Sequence, residues 1–266
     1  VFGGLLQFRG YFAPSALKGS IWNTFWVAIV VTGITIPLAF AYAYALTRSC
    51  MRGKIVFRVI ALTPILAPSL LAAISFIQWF GNQGALKWLL HGASIYGPLG
   101  IIVSAVYATF PHALMIVLTS LLLTDSRLYE AAESLRTPTG RKFFKITLPG
   151  AKFGLVSATM VVFSYTVSDF GIPKEIGGNF DVLAVDIYKQ VIGQQNFNKG
   201  AVVGLVLLFP VLVAFIVAWV MQGRQQAQSS ARAVPYAPQP APGLARLIFL
   251  FGLFVPASLR RRRGVG

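Results

Sequence analysis

Residues 19–47 read GSIWNTFWVAIVVTGITIPLAFAYAYALT, and no charged side chain interrupts them between Lys18 and Arg48. A helix needs about 20 predominantly apolar residues to cross the hydrocarbon core of a bilayer. This run can therefore span a membrane, with a helix near Ile21–Leu46. In lipid every backbone polar group has to be bonded within the protein, and a helix achieves this on its own. The stretch predicts a helical membrane protein.

Four further apolar runs follow along the chain. They lie near Val59–Phe80, Pro98–Leu123, Phe153–Phe170 and Gly200–Met221. Prolines interrupt several of them, but membrane helices tolerate proline because neighbouring helices satisfy the freed carbonyl groups. Only 11% of the 266 residues are charged, against about 25% in a soluble domain. We therefore expect an all-α fold, a polytopic membrane bundle of about five transmembrane helices.

The basic side chains predict how this bundle is oriented. The formal net charge is +16, but no aromatic-basic surface motif accompanies it, so we expect no nucleic-acid binding. Four Lys and Arg lie in the 47–58 connection and six in the 124–152 connection, and the alternate connections hold fewer. Positive residues favour the cytoplasmic side. The 124–152 connection is therefore predicted to be cytoplasmic and the N-terminus to lie outside, which suggests that a helix upstream of Val1 is missing.

The composition changes after Met221, which ends the predicted membrane domain, residues 1–221. Residues 222–243 are rich in Gln, Ala, Ser and Pro, a composition typical of an extended linker. Residues 244–266 contain a short apolar run, Leu247–Leu259, followed by four arginines. Thirteen residues are too few to span a bilayer. We interpret 222–243 as a cytoplasmic linker, and 244–266 as the truncated start of a second half or a non-native tail.

The 124–152 connection is the most informative part of the sequence. It reads TDSRLYEAAESLRTPTGRKFFKITLPGAK. A helix-forming stretch opens around Glu130, the segment 137–140 is a turn signal because Pro and Gly break helices, and a second amphipathic stretch covers 141–146. The pattern predicts a helix-turn-helix on the cytoplasmic face. Its small side chains, Ala131 and Ala132, are expected to let another surface approach closely.

This connection resembles the cytoplasmic "EAA" loop of the permease subunits of ATP-binding-cassette (ABC) importers. The residues in register with that pattern are Glu130, Ala131, Ala132, Ile146, Leu148 and Pro149. The sequence departs from the pattern where a glycine is expected and Arg136 stands. Gly140, four residues later, is the candidate for making the turn instead.

The resemblance implies a fold, a set of partners and a location. The fold would be a type I ABC importer permease-like bundle in a bacterial inner membrane, crossing it several times. The partners would be a dimer of cytoplasmic ATPase subunits, a second permease half, a periplasmic substrate-binding protein and membrane lipid. The sequence contains no G-x-x-x-x-G-K-[ST] phosphate-binding motif. ATP hydrolysis would therefore belong to the partner, and the chain itself would be a transporter subunit without a cofactor rather than an enzyme.

The segment 168–197 carries a narrower resemblance, to the permeases for iron(III) and 2-aminoethylphosphonate. The residues that carry it are SDFGIP at 168–173, IGG at 176–178, VLAVDIY at 182–188 and KQVIGQQNF at 189–197. The details favour the aminoethylphosphonate group. The resemblance therefore predicts import of a small anionic solute, 2-aminoethylphosphonate before iron(III).

Two polar residues are candidates for the transport pathway. An ionisable group at membrane depth is a functional candidate by default, and Asp169 ends the fourth predicted span, where capping a helix end or pairing with Lys174 is the alternative. His112 follows Pro111, and its alternative role is to bond a carbonyl that the proline frees. The single Cys50 and the two distant histidines give no metal-site spacing.

Three other functional classes remain open at this point. A secondary transporter would carry charged pairs buried in several spans, and only Asp169 qualifies. A membrane enzyme would cluster His, Asp or Cys near one membrane face, and the sequence has no such cluster. A membrane scaffold could use the 124–152 connection to recruit a soluble partner without transporting anything.

Overall fold

The computed structural model describes residues 15–48 and 53–228, and within these ranges it contains helices and no strand. The α-helices, numbered in chain order, are α1 Ser15–Arg48, α2 Lys54–Leu62, α3 Ser69–Phe80, α4 Pro98–Leu122, α5 Arg127–Ser134, α6 Thr139–Lys142, α7 Leu148–Ser168, α8 Gly171–Ile176, α9 Leu183–Tyr188 and α10 Phe197–Gln228. Short 3-10 segments lie at Thr63–Leu66 and Lys87–Leu90, and π-helical turns lie at Phe143–Thr147 and Lys189–Gly193. The predicted all-α class is confirmed.

Four helical stretches in the described ranges are long and apolar enough to cross a membrane. They are Lys18–Arg48, Pro98–Leu122, Thr139–Ser168 and Phe197–Arg224. The first has 31 residues and is about 46 Å long at about 1.5 Å per residue. The hydrocarbon core is about 30 Å thick, so this helix is tilted or projects beyond the core. These four stretches correspond to the first, third, fourth and fifth predicted spans, although the third and fourth end at Leu122 and Ser168, slightly before their predicted ends.

The second predicted span, near Val59–Phe80, is broken rather than continuous. Lys54–Leu66 and Ser69–Phe80 meet at an angle of 102°, and together they can count as a fifth span. Ala67 and Pro68 between them have extended backbone, with ψ angles of 132° and 148°. A residue before proline avoids the helical region because the proline ring collides with it. The proline that was expected to be tolerated inside a span therefore ends one helix and starts the next.

The core of the bundle is formed by α1, α4 and α7, which contact one another, and α10 packs against α7. Thirteen of the 25 residues of α4 are buried, so this helix lies at the centre. Many of the most buried core positions carry alanine, which lets membrane helices approach closely. The alanines with no exposed surface are Ala28, Ala39, Ala43, Ala73, Ala113, Ala151 and Ala158.

The two ends of the bundle follow the predicted alternation. Arg48, which ends α1, contacts Leu121 in the last turn of α4 and Tyr129 of α5. The connections after α1 and after α4, the two most basic ones, therefore lie at one end. At the opposite end, the Thr24 hydroxyl near the start of α1 accepts the backbone N–H of Leu183, at 2.9 Å, from the connection between α7 and α10.

Helix α10 extends past the predicted end of the membrane domain. It continues to Gln228, whereas the sequence placed the boundary at Met221. The rest of the predicted linker, 229–243, lies outside the described residues. So do the predicted tail, 244–266, and residues 1–14 at the N-terminal end.

Candidate functional site

The 124–152 connection folds as the predicted helix-turn-helix. Helix α5 precedes a turn at 135–138, and α6 then leads through the π-helical turn Phe143–Thr147 into α7. Before α5, the Asp125 carboxylate accepts the backbone N–H of Arg127 at 3.1 Å. Glu130 lies in the first turn of α5, where a negative charge interacts favourably with the helix dipole. The connection is therefore an ordered helical element at the basic end of the bundle.

One face of α5 is turned towards the bundle. Tyr129 and Ala132 are 6% and 7% exposed, and the Tyr129 hydroxyl lies 2.8 Å from the Thr147 hydroxyl at the start of α7. Ala132 was predicted, together with Ala131, to receive a partner. This prediction is wrong for Ala132, because the chain itself already covers that methyl group.

The side of α5 that carries Ala131 is uncovered and partly apolar. Leu128 and Leu135 are 55% and 79% exposed, and Ala131 is exposed between them. Positions 128, 131 and 135 are three and four residues apart and therefore lie on one side of a helix. Glu130 is also exposed. We call these four residues, Leu128, Glu130, Ala131 and Leu135, the outer face of α5.

The turn after α5 is made by Arg136. Its φ angle is +50°, in the left-handed region that a side chain normally disfavours. The Arg136 N–H bonds to the Glu133 carbonyl at 2.8 Å, and the Thr137 N–H bonds to the Ala132 carbonyl at 2.9 Å. This pair of bonds is a Schellman motif, which usually places glycine at the left-handed position. The EAA pattern has glycine at this position because the backbone there is left-handed.

Gly140 does not make this turn, contrary to the prediction. It lies inside α6, its backbone is not left-handed, and a Cβ added there would meet nothing within 4 Å. Helix α6, the second helix of the connection, is held in place by an ion pair. The Lys142 ammonium bonds to the Glu133 carboxylate at 3.3 Å, which ties α6 to α5 across the turn.

The end of the connection is anchored on α1 by aromatic rings. Phe143 lies edge-on to Phe40 and Tyr44, with ring centroids 5.8 Å and 5.6 Å apart. The three remaining predicted residues follow: Ile146 and Leu148 are half-buried, and Pro149 is exposed in the first turn of α7. Proline is tolerated in the first turn because its missing N–H has no helical partner there. The last residues of the predicted EAA pattern therefore lie at the start of α7, which is a membrane span.

Sequence reasoning missed Arg48, which the charge count treated only as an orienting residue. Its side chain is 5% exposed, and its guanidinium carbon lies 4.4 Å from the centroid of the Tyr129 ring. The position of Arg48 at the end of an apolar run was the feature of the sequence that allowed for its burial. A charged side chain at the end of a span can point into the bundle as well as towards solvent.

The two pathway candidates lie on either side of Tyr165. The His112 ring centroid is 5.4 Å from that of Tyr165, and the phenol group lies beside Asp169 and Ser69. Asp169 accepts hydrogen bonds from the Ser69 hydroxyl at 2.7 Å and from the Ile172 N–H at 3.1 Å. Asp169 therefore links α3 to the start of α8. This contact matches the alternative role given to Asp169 above, which is to cap a helix end.

His112 has a local partner as well. Its Nδ1 lies 3.2 Å from the carbonyl of Ala108, one turn earlier in α4. The carbonyl four residues before Pro111 is that of Tyr107, so the histidine bonds the neighbouring carbonyl rather than the one freed by the proline. No group of three His, Cys, Asp or Glu within 15–48 and 53–228 is arranged to hold a metal ion.

At the other end of the bundle, the connection between α7 and α10 is fastened to α1. The Asn23 amide donates to the Asp181 carbonyl at 3.0 Å, and Thr24 receives the first N–H of α9. Lys189 pairs with the Asp181 carboxylate. Asn23 and Thr24 thus hold this connection against the start of α1.

Comparison with known proteins identifies the family. Residues 33–227 match the family described as "Binding-protein-dependent transport system inner membrane component". A putative ferric transport system permease, FbpB 1 of Haemophilus influenzae, is 25% identical over 80% of this chain and 37% of its own length. The molybdenum transport system permease ModB of Azotobacter vinelandii is 28% identical over 71% of this chain and 84% of its own length. The chain spans about a third of the length of the ferric relatives it matches.

Solved structures agree on the fold. A bacterial ABC transporter involved in import of the acidic polysaccharide alginate superposes with a TM-score of 0.62 at 13% identity, covering 84% of this chain and 83% of that one. The MetNI methionine ABC transporter superposes with a TM-score of 0.59 at 18% identity, covering 79% and 95%. Because the family match covers most of the chain, this protein belongs to the binding-protein-dependent transport system inner membrane components, the permease subunits of ABC importers.

Proposed function

We propose that the chain is one membrane-spanning half of an ATP-driven importer and that α5 is the helix through which a separate ATPase drives it. The outer face of α5 is the observation that carries this proposal. It exposes two leucines and a small residue on an otherwise basic surface, outside the membrane spans. Exposed apolar side chains on one face of a short helix are typical of a surface that a partner covers.

The charge of the outer face adds a second contact. Glu130 is exposed beside Ala131, and Arg127 and Arg136 are exposed at the two ends of α5. An ATPase groove that accepts α5 would need apolar walls for Leu128 and Leu135 and a cation opposite Glu130. The sequence has no phosphate-binding loop, which supports ATP binding by the partner rather than by this chain.

Co-purification of this protein with a candidate ABC ATPase subunit from the same organism tests the proposal. Ala131→Arg should weaken docking, because overpacking a fitted contact costs about 1–3 kcal/mol, or roughly 5- to 150-fold in affinity. Glu130→Lys should weaken it too. Gly140→Ala is the matched control, since its added methyl group meets nothing within 4 Å. Wild-type ATPase recovery with Ala131→Arg, at normal membrane levels of the protein, would show that the outer face of α5 is not the docking surface.

The remaining partners follow from the same assignment. A periplasmic binding protein would deliver the solute to the end of the bundle that carries α8 and α9, and a second permease half would complete the pathway. An alginate transporter with this fold has been solved with a periplasmic protein bound. Helix α10 offers a broad apolar surface for lipid or the second half, since large side chains such as Phe209, Phe215 and Trp219 are exposed along it. The setting is a bacterial inner membrane with the 124–152 connection in the cytoplasm.

For the substrate, we propose a small solute, with 2-aminoethylphosphonate ahead of iron(III). The first choice rests on the resemblance in 168–197, and the second is favoured by the two relatives that are named as ferric transport permeases. Growth of a deletion strain on 2-aminoethylphosphonate as the sole phosphorus source tests the order. Normal growth on the phosphonate combined with impaired iron uptake would reverse it.

A further inference from the structure

Arg48 and Tyr129 form a buried contact between the membrane bundle and α5. The guanidinium carbon of Arg48 lies 4.4 Å from the centroid of the Tyr129 ring, and both side chains are less than a tenth exposed. A guanidinium within about 6 Å of an aromatic face is attracted by the ring electrons, and more strongly when water is excluded. The contact joins the last residue of α1 to the inner face of α5.

The same two side chains reach two further helices. Arg48 Nη2 donates to the carbonyl of Leu121, at 3.2 Å, in the last turn of α4. The final carbonyls of a helix lack partners within it and carry partial negative charge, so a guanidinium is favourable there. On the other side, the Tyr129 hydroxyl lies 2.8 Å from the Thr147 hydroxyl, directly before α7. One arginine–tyrosine pair thus connects α1, α4, α5 and α7.

The remainder of α5 is held less firmly. Its outer face is exposed, and the described links to the membrane helices run through its inner residues, Tyr129 and Ala132, and through the aromatic contacts of Phe143 further along. A push on the outer face would therefore be carried inward through Tyr129. Tyr129 there contacts the arginine that ends α1 and the hydroxyl of Thr147.

We propose that Arg48 is a positioning residue that fixes α5 to the ends of α1 and α4 and transmits its movement to the membrane helices. The inference rests on the proposed function of α5 as the docking helix. Arg48 sets the angle at which α5 is presented, and Tyr129 passes displacement to Arg48 on one side and to Thr147 on the other. Docking itself uses the outer face and does not need Arg48.

The first test measures amide hydrogen exchange of α5 in the full detergent-solubilised chain and needs no partner. Arg48→Met should speed exchange in 127–134 by about tenfold or more, the scale of a desolvated cation–π contact. Tyr129→Leu should act likewise, and the double variant should add little because the pair acts as a unit. Tyr129→Phe keeps the ring and should change exchange less. Arg58→Met, which removes an exposed charge after the same connection, is the control. Wild-type exchange in Arg48→Met would overturn the proposal.

The second test separates coupling from stability in the reconstituted importer. With Arg48→Met the ATPase should remain bound, while the amount of solute transported per ATP hydrolysed falls by about tenfold. Arg48→Lys keeps the charge but not the flat stacking surface and should recover part of the loss. Unchanged transport per ATP, or loss of the ATPase together with transport, would overturn the positioning role. If even the wild-type chain binds no ATPase, the proposed function fails, and the exchange result still tests the contact.

Discussion

Gly154 of α7 faces Ser120 of α4 so closely that a Cβ added at Gly154 would lie 2.3 Å from the Ser120 Cβ. One turn away, a Cβ at Gly150 would lie 3.1 Å from a methyl carbon of Thr124. Small residues at a four-residue spacing let two membrane helices approach closely enough for extensive van der Waals contact. The α4–α7 crossing positions the start of α7, and with it Thr147, relative to α5.

This crossing predicts a pair of compensating substitutions. Gly154→Ala should destabilise the bundle by about 1–3 kcal/mol, because no side chain fits against Ser120 without a backbone shift. Ser120→Gly in the same chain should restore much of that loss, since the next neighbour of the added methyl group would be the Ile116 carbonyl at 3.6 Å. Thermal unfolding in detergent measures both. Equal stability of Gly154→Ala and wild type would show that the helices separate without cost.

Arg136→Gly should stabilise the turn after α5. A side chain in left-handed backbone costs about 1–2 kcal/mol, which glycine avoids, although glycine also loses more freedom on folding. We therefore expect a net gain of up to about 1 kcal/mol, read from hydrogen exchange of the Thr137 amide, which bonds to the Ala132 carbonyl. Ala131→Gly is the matched control: Ala131 lies inside α5, where glycine should destabilise by about 0.5–1 kcal/mol. The two substitutions should therefore shift stability in opposite directions.

Ala132→Leu should act on this chain rather than on its partner. Ala132 is 7% exposed on the inner face of α5, so added methylene groups would be forced against the bundle, at about 1–3 kcal/mol. Exchange of α5 amides in the isolated chain should rise with Ala132→Leu and remain at the wild-type rate with Ala131→Leu. The reverse result would place Ala132, and not Ala131, on the contact surface.

The sequence predicted the spans better than the details that make the site work. An uncharged run such as 19–47 predicts a helix because lipid leaves the backbone few alternatives, and the prediction is confirmed. A proline in an apolar run does not by itself predict whether the helix continues. Pro111 lies inside a continuous helix, whereas Pro68 ends one. Neighbouring side chains decide between these outcomes, and a single sequence does not show them.

Which side chains of α5 face the bundle was equally hard to predict. Leu128, Tyr129, Ala132 and Leu135 are all apolar or aromatic, and the choice of Tyr129 and Ala132 as the buried pair depends on Arg48 and Thr147, which are distant in sequence. Arg48 itself was treated only as an orienting charge, because burial of an arginine depends on tertiary partners. The left-handed turn was predicted at Gly140 and lies at Arg136 instead, the position where the EAA pattern places glycine.

The orientation of the bundle predicts opposite labelling of two exposed positions. Cysteine placed at Thr139 should be protected from an impermeant external reagent in intact spheroplasts, and cysteine at Gln194 should react, because the two connections lie at opposite ends of the bundle. Cys50 would first be replaced by serine. Labelling of both positions after membrane disruption is the control for accessibility. External labelling at 139 would reverse the orientation and place α5 on the wrong side for a cytoplasmic ATPase.

Asp169 is predicted to brace the end of the bundle that carries α8 rather than to bind the transported solute. Its carboxylate accepts hydrogen bonds from Ser69 in α3 and from the first turn of α8. A hydrogen bond to a charged group contributes about 1.5–3 kcal/mol. Asp169→Ala should therefore lower thermal stability by about that amount, and Ser69→Ala should add little to it because the two residues share one interaction.

Transport per folded molecule, corrected for the amount in the membrane, should change less than about twofold for Asp169→Ala, since a brace acts on the folded fraction. Solute affinity separates the two roles: an altered KM for uptake in Asp169→Ala, at normal stability, would assign the carboxylate to the pathway, together with its neighbours Tyr165 and His112.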